Sequence, residues 1–496
     1  MKRVLAWFTV QRLVTAILFV AIFAMAVREP VDTDTWWHLL AGRVSVERGE
    51  ILRSDLFSHT RYGAPWTAYA WLSEVLLFTI FDRFSYAGLA LWIAAMVAGT
   101  AAFVYKQMEG DPFSRAFVLV LGMTATALTW TARPHMTSFF FTAVVGYVLY
   151  LFKWRGINRL WVLPPLFVVW VNLHAGYTLG FMVMVAFVGG EVLNRLLARA
   201  LPGSDPTVSW RGIGWVVLVG MVCALALLIN PNTTQMWTYY LETVRIGALQ
   251  DFIQEWQSPD FHPLFTQPFI WLLLATVGAM GLSGRRVDGT DLALVALFTY
   301  AALLAVRNIA PFALVATPVL SRHVTAVMER VGWAARLRRP PRSSAGMGAL
   351  NLALLGLVAV AALAVIQPPL RAEANEAAAR EALPVDAAGW ILEHRPAGEL
   401  FNPYNWGGYL AWRLWPEYGV FVDGRTDLYG DEVLGEYVTV QLARPGFEDV
   451  LEGYSVNLVL TYPDDALSAQ LRCVGGWREV YRDEVAVVFV RGAGDG

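Results

Sequence analysis

Apolar runs close to the length of a bilayer crossing recur about eleven times in this chain: 10–27, 86–105, 114–131, 136–152, 160–172, 176–194, 212–229, 267–283, 290–306, 309–327 and 347–366. A helix needs about 20 mostly apolar residues to cross the hydrocarbon core. With 56% hydrophobic and 16% charged residues, the chain has too little polar surface to cover one soluble core. The reading is an α-helical polytopic membrane protein with about 11 transmembrane helices. The run 160–172 is the shortest and carries Pro164 and Pro165. Residues 66–82 are helical in pattern but hold Ser73 and Glu74, so they read as an interfacial helix or the lead into the second span.

Basic residues set the expected orientation, because cytoplasmic loops collect Lys and Arg. With Lys2, Arg3 and Arg12 inside, the inner loops carry Lys106 and Arg115, then Lys153, Arg155 and Arg159, then Arg195, Arg199 and Arg211, then Arg285 and Arg286. The last inner loop carries Arg330, Arg336, Arg338, Arg339 and Arg342. The short outer turns hold only Arg133 and Arg307. The N-terminus is thus expected in the cytoplasm, with the long first loop (28–85) and the C-terminal segment outside it. Residues 1–369 form the membrane domain in this reading.

The charge is divided unevenly. Residues 370–496 carry 10 Arg, no Lys and 21 Asp or Glu, a net −11, while the rest of the chain is +9. That acidic tail of 127 residues suffices for one small domain. It reads as α/β: a helix over 375–395 broken at Pro384, strands at 399–402, 419–423, 456–462 and 484–491, and helices at 406–412 and 431–441. In open sheets ligands bind beyond strand carboxyl ends, which selects Asn402, Tyr404, Asp423, Arg425 and Asp427. A local pairing of Asp423 with Arg425 fits that turn equally well. No basic tract suits nucleic acid, no Gly-rich loop suits a nucleotide, and Cys223 and Cys473 fit neither a disulfide nor a metal pattern.

Polar residues gather at the outer ends of the helices. The first outer loop opens with Asp32, Asp34, Trp36, Trp37 and His38; later turns carry Arg133 and His135, Asn172 and His174, the segments NPNTTQ (230–235) and QEWQSPDFHP (254–263), and Arg307 with Asn308. Five of the seven histidines, at 38, 59, 135, 174 and 262, fall on this face. Ionisable groups near hydrocarbon are costly and mark functional sites, so a polar, outward-opening cavity is expected. Asp34 and His38 stand i, i+4 and share a helical face, an arrangement suited to a general base or a metal ligand. Two carboxylates and one histidine do not make a metal site, so none is assigned; a divalent cation is the only cofactor such a set would admit. Arg133 and Arg307, alone in uncharged turns, suit an anion such as phosphate. Each residue also suits a plainer role: Asp32 and Asp34 ending a span, Trp36 and Trp37 in an interfacial belt, the arginines snorkelling, and Asn172 and Asn230 capping helices.

The motifs Asp32-Thr-Asp-Thr-Trp-Trp-His38, RSDLFS (53–58), WLSE (71–74), TARPH, WVNLHAGY, INPN and VRN resemble a bacterial group of membrane proteins within the superfamily C glycosyltransferases. That superfamily includes protein mannosyltransferases, aminoarabinose transferases and oligosaccharyltransferase catalytic subunits. The resemblance covers nearly the whole chain and implies a GT-C-like membrane domain. It implies a polyprenyl-phosphate-linked sugar donor at the outer face, with Asp32 or Asp34 as base and Asp55 or Glu74 as a second acid. It implies Arg133 and Arg307 on the donor phosphate. By their outer-face positions Trp37, His38, His135, Asn172 and His174, and by their strand-end positions Asn402, Asp423 and Arg425, are the candidate substrate contacts. The segment YNWGGY (404–409) is faintly similar to the WWDYG motif of oligosaccharyltransferases but lacks its Asp, so it does not support acceptor-peptide recognition. The expected function is glycosyl transfer to an extracytoplasmic acceptor (glycan, lipid or protein) at the bacterial inner membrane. The rival is a non-catalytic binder or carrier of lipid-linked glycans that kept the fold.

Overall fold

The computed structural model describes residues 2–198, 205–333 and 344–492. Arg199, Arg336, Arg338, Arg339 and Arg342, used above for orientation, lie outside these residues. A helix covers each apolar run. Six are long and apolar enough to cross a membrane: Trp71–Gln107, Pro112–Thr129, His135–Trp154, Ala175–Leu197, Val306–Arg330 and Ala345–Ile366. Five shorter apolar helices accompany them: Val10–Ala26, Leu160–Leu173, Trp210–Ala226, Gln267–Leu282 and Gly289–Leu304. Helix starts follow local chemistry. The Asp111 carboxylate accepts from the N–H groups of Phe113 and Ser114, with Pro112 in the first turn, and Ser209, Asp288 and Ser344 cap their helices likewise.

The segment 66–82 leads into a helix long and apolar enough to cross a membrane. Its helix starts at Trp71 and runs to Gln107, bent at Ser85, whose φ of 52° interrupts the helical backbone. Before it, the first loop carries the short helix Thr35–Arg48, which packs closely against it: a methyl on Gly42 would lie 2.1 Å from the Glu74 carbonyl oxygen.

Helix His135–Trp154 has His135 at one end and Lys153 near the other, about 30 Å apart at the usual rise. At the Lys153 end the side chain is fully buried and bonded to Glu191, Asp288 and Thr290, so one cation ties three helices. Arg322 pairs with Asp291 beside it, and the Trp154 ring lies 4.5 Å from both cations.

The tail folds around a four-stranded sheet of β1 (Glu399–Phe401), β2 (Val456–Thr461), β3 (Trp477–Arg482) and β4 (Val487–Arg491), in the order β1-β2-β4-β3. β1 and β2 are parallel; the other pairs are antiparallel. The helix expected over 375–395 is two, Ala372–Ala382 and Val385–His394, separated at Pro384. Residues 419–423 do not join the sheet, which corrects the expected strand. Val420 donates to the Phe57 carbonyl and accepts from the His59 N–H, and the Thr60 hydroxyl donates to the Phe421 carbonyl. Asn402 closes the other side, accepting from the Phe421 N–H and donating to the Val422 carbonyl. The segment is therefore an extended seam between tail and first loop.

Candidate functional site

Asp34 immediately precedes helix Thr35–Arg48 and makes no side-chain capping bond to it, so its carboxylate is free to face other partners. Its backbone N–H donates to Asp32 Oδ1 at 3.0 Å, so the two carboxylates turn the same way. Arg133, from the turn before helix His135–Trp154, lies against both. Its Nη2 is 2.7 Å from Asp34 Oδ2 and its Nη1 is 3.8 Å from Asp32 Oδ2. The same Nη1 donates to Glu255 Oε1 at 2.6 Å. One guanidinium thus faces three carboxylates, leaving the group with a net charge of −2 when all are ionised. Burial pushes the Asp34 carboxyl up to about 7; Arg133 opposes this, and Asp32, Glu255 and Asp423 add to it. Glu255 goes the other way, held down at about 2 by Arg133 with help from Arg307.

These groups line a cavity of about 620 Å³. Trp37, His38, His135, His174 and Arg307 line it as well. His38 Nδ1 sits 3.2 Å from Glu74 Oε1, both side chains buried, an acid behind an imidazole that faces the cavity. Burial and the charge of Arg133 hold His38 well below the ordinary histidine range, so the ring is neutral. His174 Nδ1 accepts from the Gly176 N–H at 3.0 Å and from the Ser138 hydroxyl at 2.8 Å, so its proton sits on Nε2. His135 Nε2 donates to the Thr129 carbonyl at 2.8 Å. Among the described residues Arg307 makes no ion pair, and its guanidinium lies 4.2 Å over the Trp256 ring. No group of three or more His, Cys, Asp or Glu among the described residues is arranged around an ion.

Several sequence candidates lie elsewhere. Asp55 is fully buried, accepting from the backbone N–H groups of Phe57 and Ser58 and pairing with Arg425 at 2.6 Å. Arg425 also pairs with Asp423, and its guanidinium lies 5.0 Å from the rings of Phe57 and Trp66. This buried triad ties the tail to the first loop, Asn402 bonds only to Pro403, Phe421 and Val422 within the tail, and none of the four lines the cavity. Asn172 is a helix tie too: it accepts from Trp71 Nε1 at 2.9 Å and donates to the carbonyls of Val168 and Ile229. His59 donates toward the Leu400 carbonyl region of the seam, and His262 is exposed beside Asp260. Of the tail candidates, Tyr404 and Asp427 do line the cavity. The sequence placed the segment 254–263 on this face without singling out Glu255, and it did not mark Tyr69 in the first loop or Tyr239 in the helix Gln235–Val244.

No family model and no curated protein matches this sequence. Solved structures do. The oligosaccharyltransferase of Archaeoglobus fulgidus, tethered with an acceptor peptide containing the NVT sequon, matches with a TM-score of 0.53 at 12% identity, over 98% of this chain and 74% of its own. Its apo form matches with a TM-score of 0.55. ArnT from Cupriavidus metallidurans, bound to undecaprenyl phosphate, matches with a TM-score of 0.51 at 14% identity, over 97% of each chain. At these identities the likeness is one of fold, which this chain shares with the Archaeoglobus oligosaccharyltransferase and with ArnT. The likeness spans both the helical body and the tail, since the matched share of this chain is nearly complete in each comparison.

Proposed function

We propose that this chain is a membrane glycosyltransferase that moves a sugar from a polyprenyl-phosphate-linked donor to an extracytoplasmic acceptor. In this reading the cavity opens on the outer face of a bacterial inner membrane, and residues 370–496 form an extracytoplasmic module. The observation that carries it is the meeting, in one cavity, of the largely buried Asp32–Asp34 carboxylate pair and an arginine, Arg307, that makes no ion pair among the described residues. A cavity of about 620 Å³ fits a glycosyl phosphate headgroup, within the usual range for ligand sites.

The chemistry is a displacement at the anomeric carbon. The acceptor hydroxyl oxygen bonds to that carbon, and the carbon's bond to the phosphate oxygen breaks with its electron pair. The proton of the hydroxyl passes to Asp34, and the transition state is oxocarbenium-like, as in glycoside hydrolysis. A base works best with a pKa near the working pH, which suits Asp34. Arg307 receives the phosphate, whose charge grows as the bond breaks. Arg133 is already committed to three carboxylates and holds them in place. ArnT of Cupriavidus metallidurans, solved with undecaprenyl phosphate, supports this donor class.

Native mass spectrometry of the detergent-solubilised protein, with added undecaprenyl phosphate, tests the donor. The lipid should bind wild type and be lost from Arg307→Ala. Equal binding by both proteins would refute the phosphate assignment, and no binding to wild type would refute the donor class.

A further inference from the structure

Three elements of the helical body converge on one imidazole. His174 follows helix Leu163–Leu173 in extended backbone, and a tight turn over Ala175–Tyr177 leads on into helix Thr178–Leu197. Its Nδ1 lies 3.0 Å from the Gly176 backbone nitrogen and 2.8 Å from the Ser138 hydroxyl of helix His135–Trp154. A backbone N–H can only donate. So can an indole N–H, and that of the buried Trp170 lies 2.8 Å from Ser138 Oγ. The Ser138 oxygen therefore accepts from Trp170 and turns its own hydrogen toward His174 Nδ1. Two donors meet on that nitrogen, which leaves no place there for a proton. The fit is close: a methyl on Gly176 would sit 2.4 Å from Ser138 Oγ and 2.7 Å from His174 Nδ1.

The proton of the neutral ring is thus held on Nε2. His174, Ser138 and Gly176 all line the cavity, and among the described residues the Nε2–H meets no acceptor. That nitrogen reaches the cavity rather than being enclosed by side chains, as the indole nitrogens of Trp36 and Trp37 are. His135, whose ring lies 6.5 Å away, differs: its Nε2–H is already donated to the Thr129 carbonyl at 2.8 Å. Burial holds His174 well below the ordinary histidine range, and His135, Arg307 and Arg133 add to that. His174 is therefore an uncharged hydrogen-bond donor of fixed polarity across neutral pH.

Resting on the glycosyltransferase reading above, we infer that His174 is a ligand of the donor phosphate, its Nε2–H donating to a phosphate oxygen. The fixed polarity selects the ligand group. A sugar hydroxyl both donates and accepts, so either form of a neutral histidine serves it. An ionised phosphate oxygen only accepts, and a ring nitrogen presenting its lone pair would repel it. A ring locked as a donor suits such an oxygen, and it needs no reorganisation as charge grows on the departing phosphate. Arg307, which lines the same cavity and makes no ion pair among the described residues, supplies the positive charge. His174 supplies direction and carries no titrating proton that a change near pH 7 would remove.

Long-range proton–nitrogen NMR on the full chain in detergent, with isotope-labelled histidine, tests this. The chain has seven histidines, and the His174 signal is the one lost in His174→Gln. From about pH 6 to 8 it should show the proton on Nε2. The Nε2 resonance should move on addition of undecaprenyl phosphate, and not with undecaprenol or inorganic phosphate at the same concentration. His174→Phe should weaken undecaprenyl phosphate binding about tenfold, the order of one hydrogen bond to a charged group. His174→Gln, whose amide carries an N–H at a similar reach, should restore most of that affinity. A proton on Nδ1, a resonance unmoved while the lipid binds, an equal shift from undecaprenol or inorganic phosphate, or wild-type affinity in His174→Phe would each overturn the assignment. Wild type that binds no undecaprenyl phosphate would sink the donor reading and this contact with it, a failure distinct from an unmoved resonance beside bound lipid.

Discussion

Gly424 lies so close to Asp34 that a methyl group in place of its hydrogen would sit 1.9 Å from the carboxylate Oδ1 and 2.9 Å from Trp37 Nε1. The tail therefore sets the position of the proposed base through a bare backbone contact. Gly424→Ala is expected to displace Asp34 and cut transfer about 100-fold, the order that a 1 Å misplacement of a reacting group costs. Thermal stability should change little beside the activity, because the flanking triad is untouched. Full activity in Gly424→Ala would mean that the contact does not position the base.

The elevated Asp34 predicts a pH dependence. A base must be deprotonated to act, so the rate should rise with pH and level off above about 7. Below that value the logarithm of the rate should fall one unit per pH unit. Asp34→Asn should lose most activity, and the residual rate should lack this limb. A wild-type limb centred near 4, the ordinary carboxylate range, would contradict the assignment.

Arg133 and Arg307 should differ in kinetics. Arg307→Ala is expected to raise the donor KM at least tenfold and to lower kcat as well, since phosphate charge grows in the transition state. Arg133→Ala strips the counterion from Asp32, Asp34 and Glu255 together. It should collapse kcat and shift the pH limb upward. Identical kinetic signatures for the two variants would argue against separate roles.

The buried triad predicts a stability effect. Removing Arg425 as Arg425→Met leaves Asp55 and Asp423 buried without their cation, which costs about 3–5 kcal/mol. Asp55→Asn keeps the shape and one hydrogen-bond acceptor and should cost less. Denaturant unfolding of the detergent-solubilised protein measures both, and an Arg425→Met variant as stable as wild type would refute the clamp.

The helical body was legible because apolar length is written directly in composition, and each run meets a helix. Asp34, Arg133 and Arg307 were legible because a charge in an apolar or uncharged setting needs a reason. What escaped was partnership. Asp55 and Arg425 read as two separate candidates, yet they are one ion pair across 370 residues, and nothing local announces that. Residues 419–423 have strand composition, but they pair with Ser58 rather than a sheet neighbour, a choice made by tertiary packing. Asn172 looked like a ligand group because polar residues at helix ends serve binding and helix tying alike, and its four bonds decide for tying. Glu255 comes from a segment with many polar residues, where only the fold selects among them.

The seam between the first loop and the tail also governs when the site comes into being. Helices enter the membrane in the order they are made, so Asp32, Asp34 and Arg133 are in place long before Gly424 and Asp427 exist. At roughly 5–20 residues per second, the ribosome needs roughly 15–60 s to go from Arg133 to Gly424. Throughout that interval the nascent chain lacks the backbone contact that positions the proposed base. On the proposed reading, activity waits for the tail, and a molecule stalled during translation would be catalytically silent.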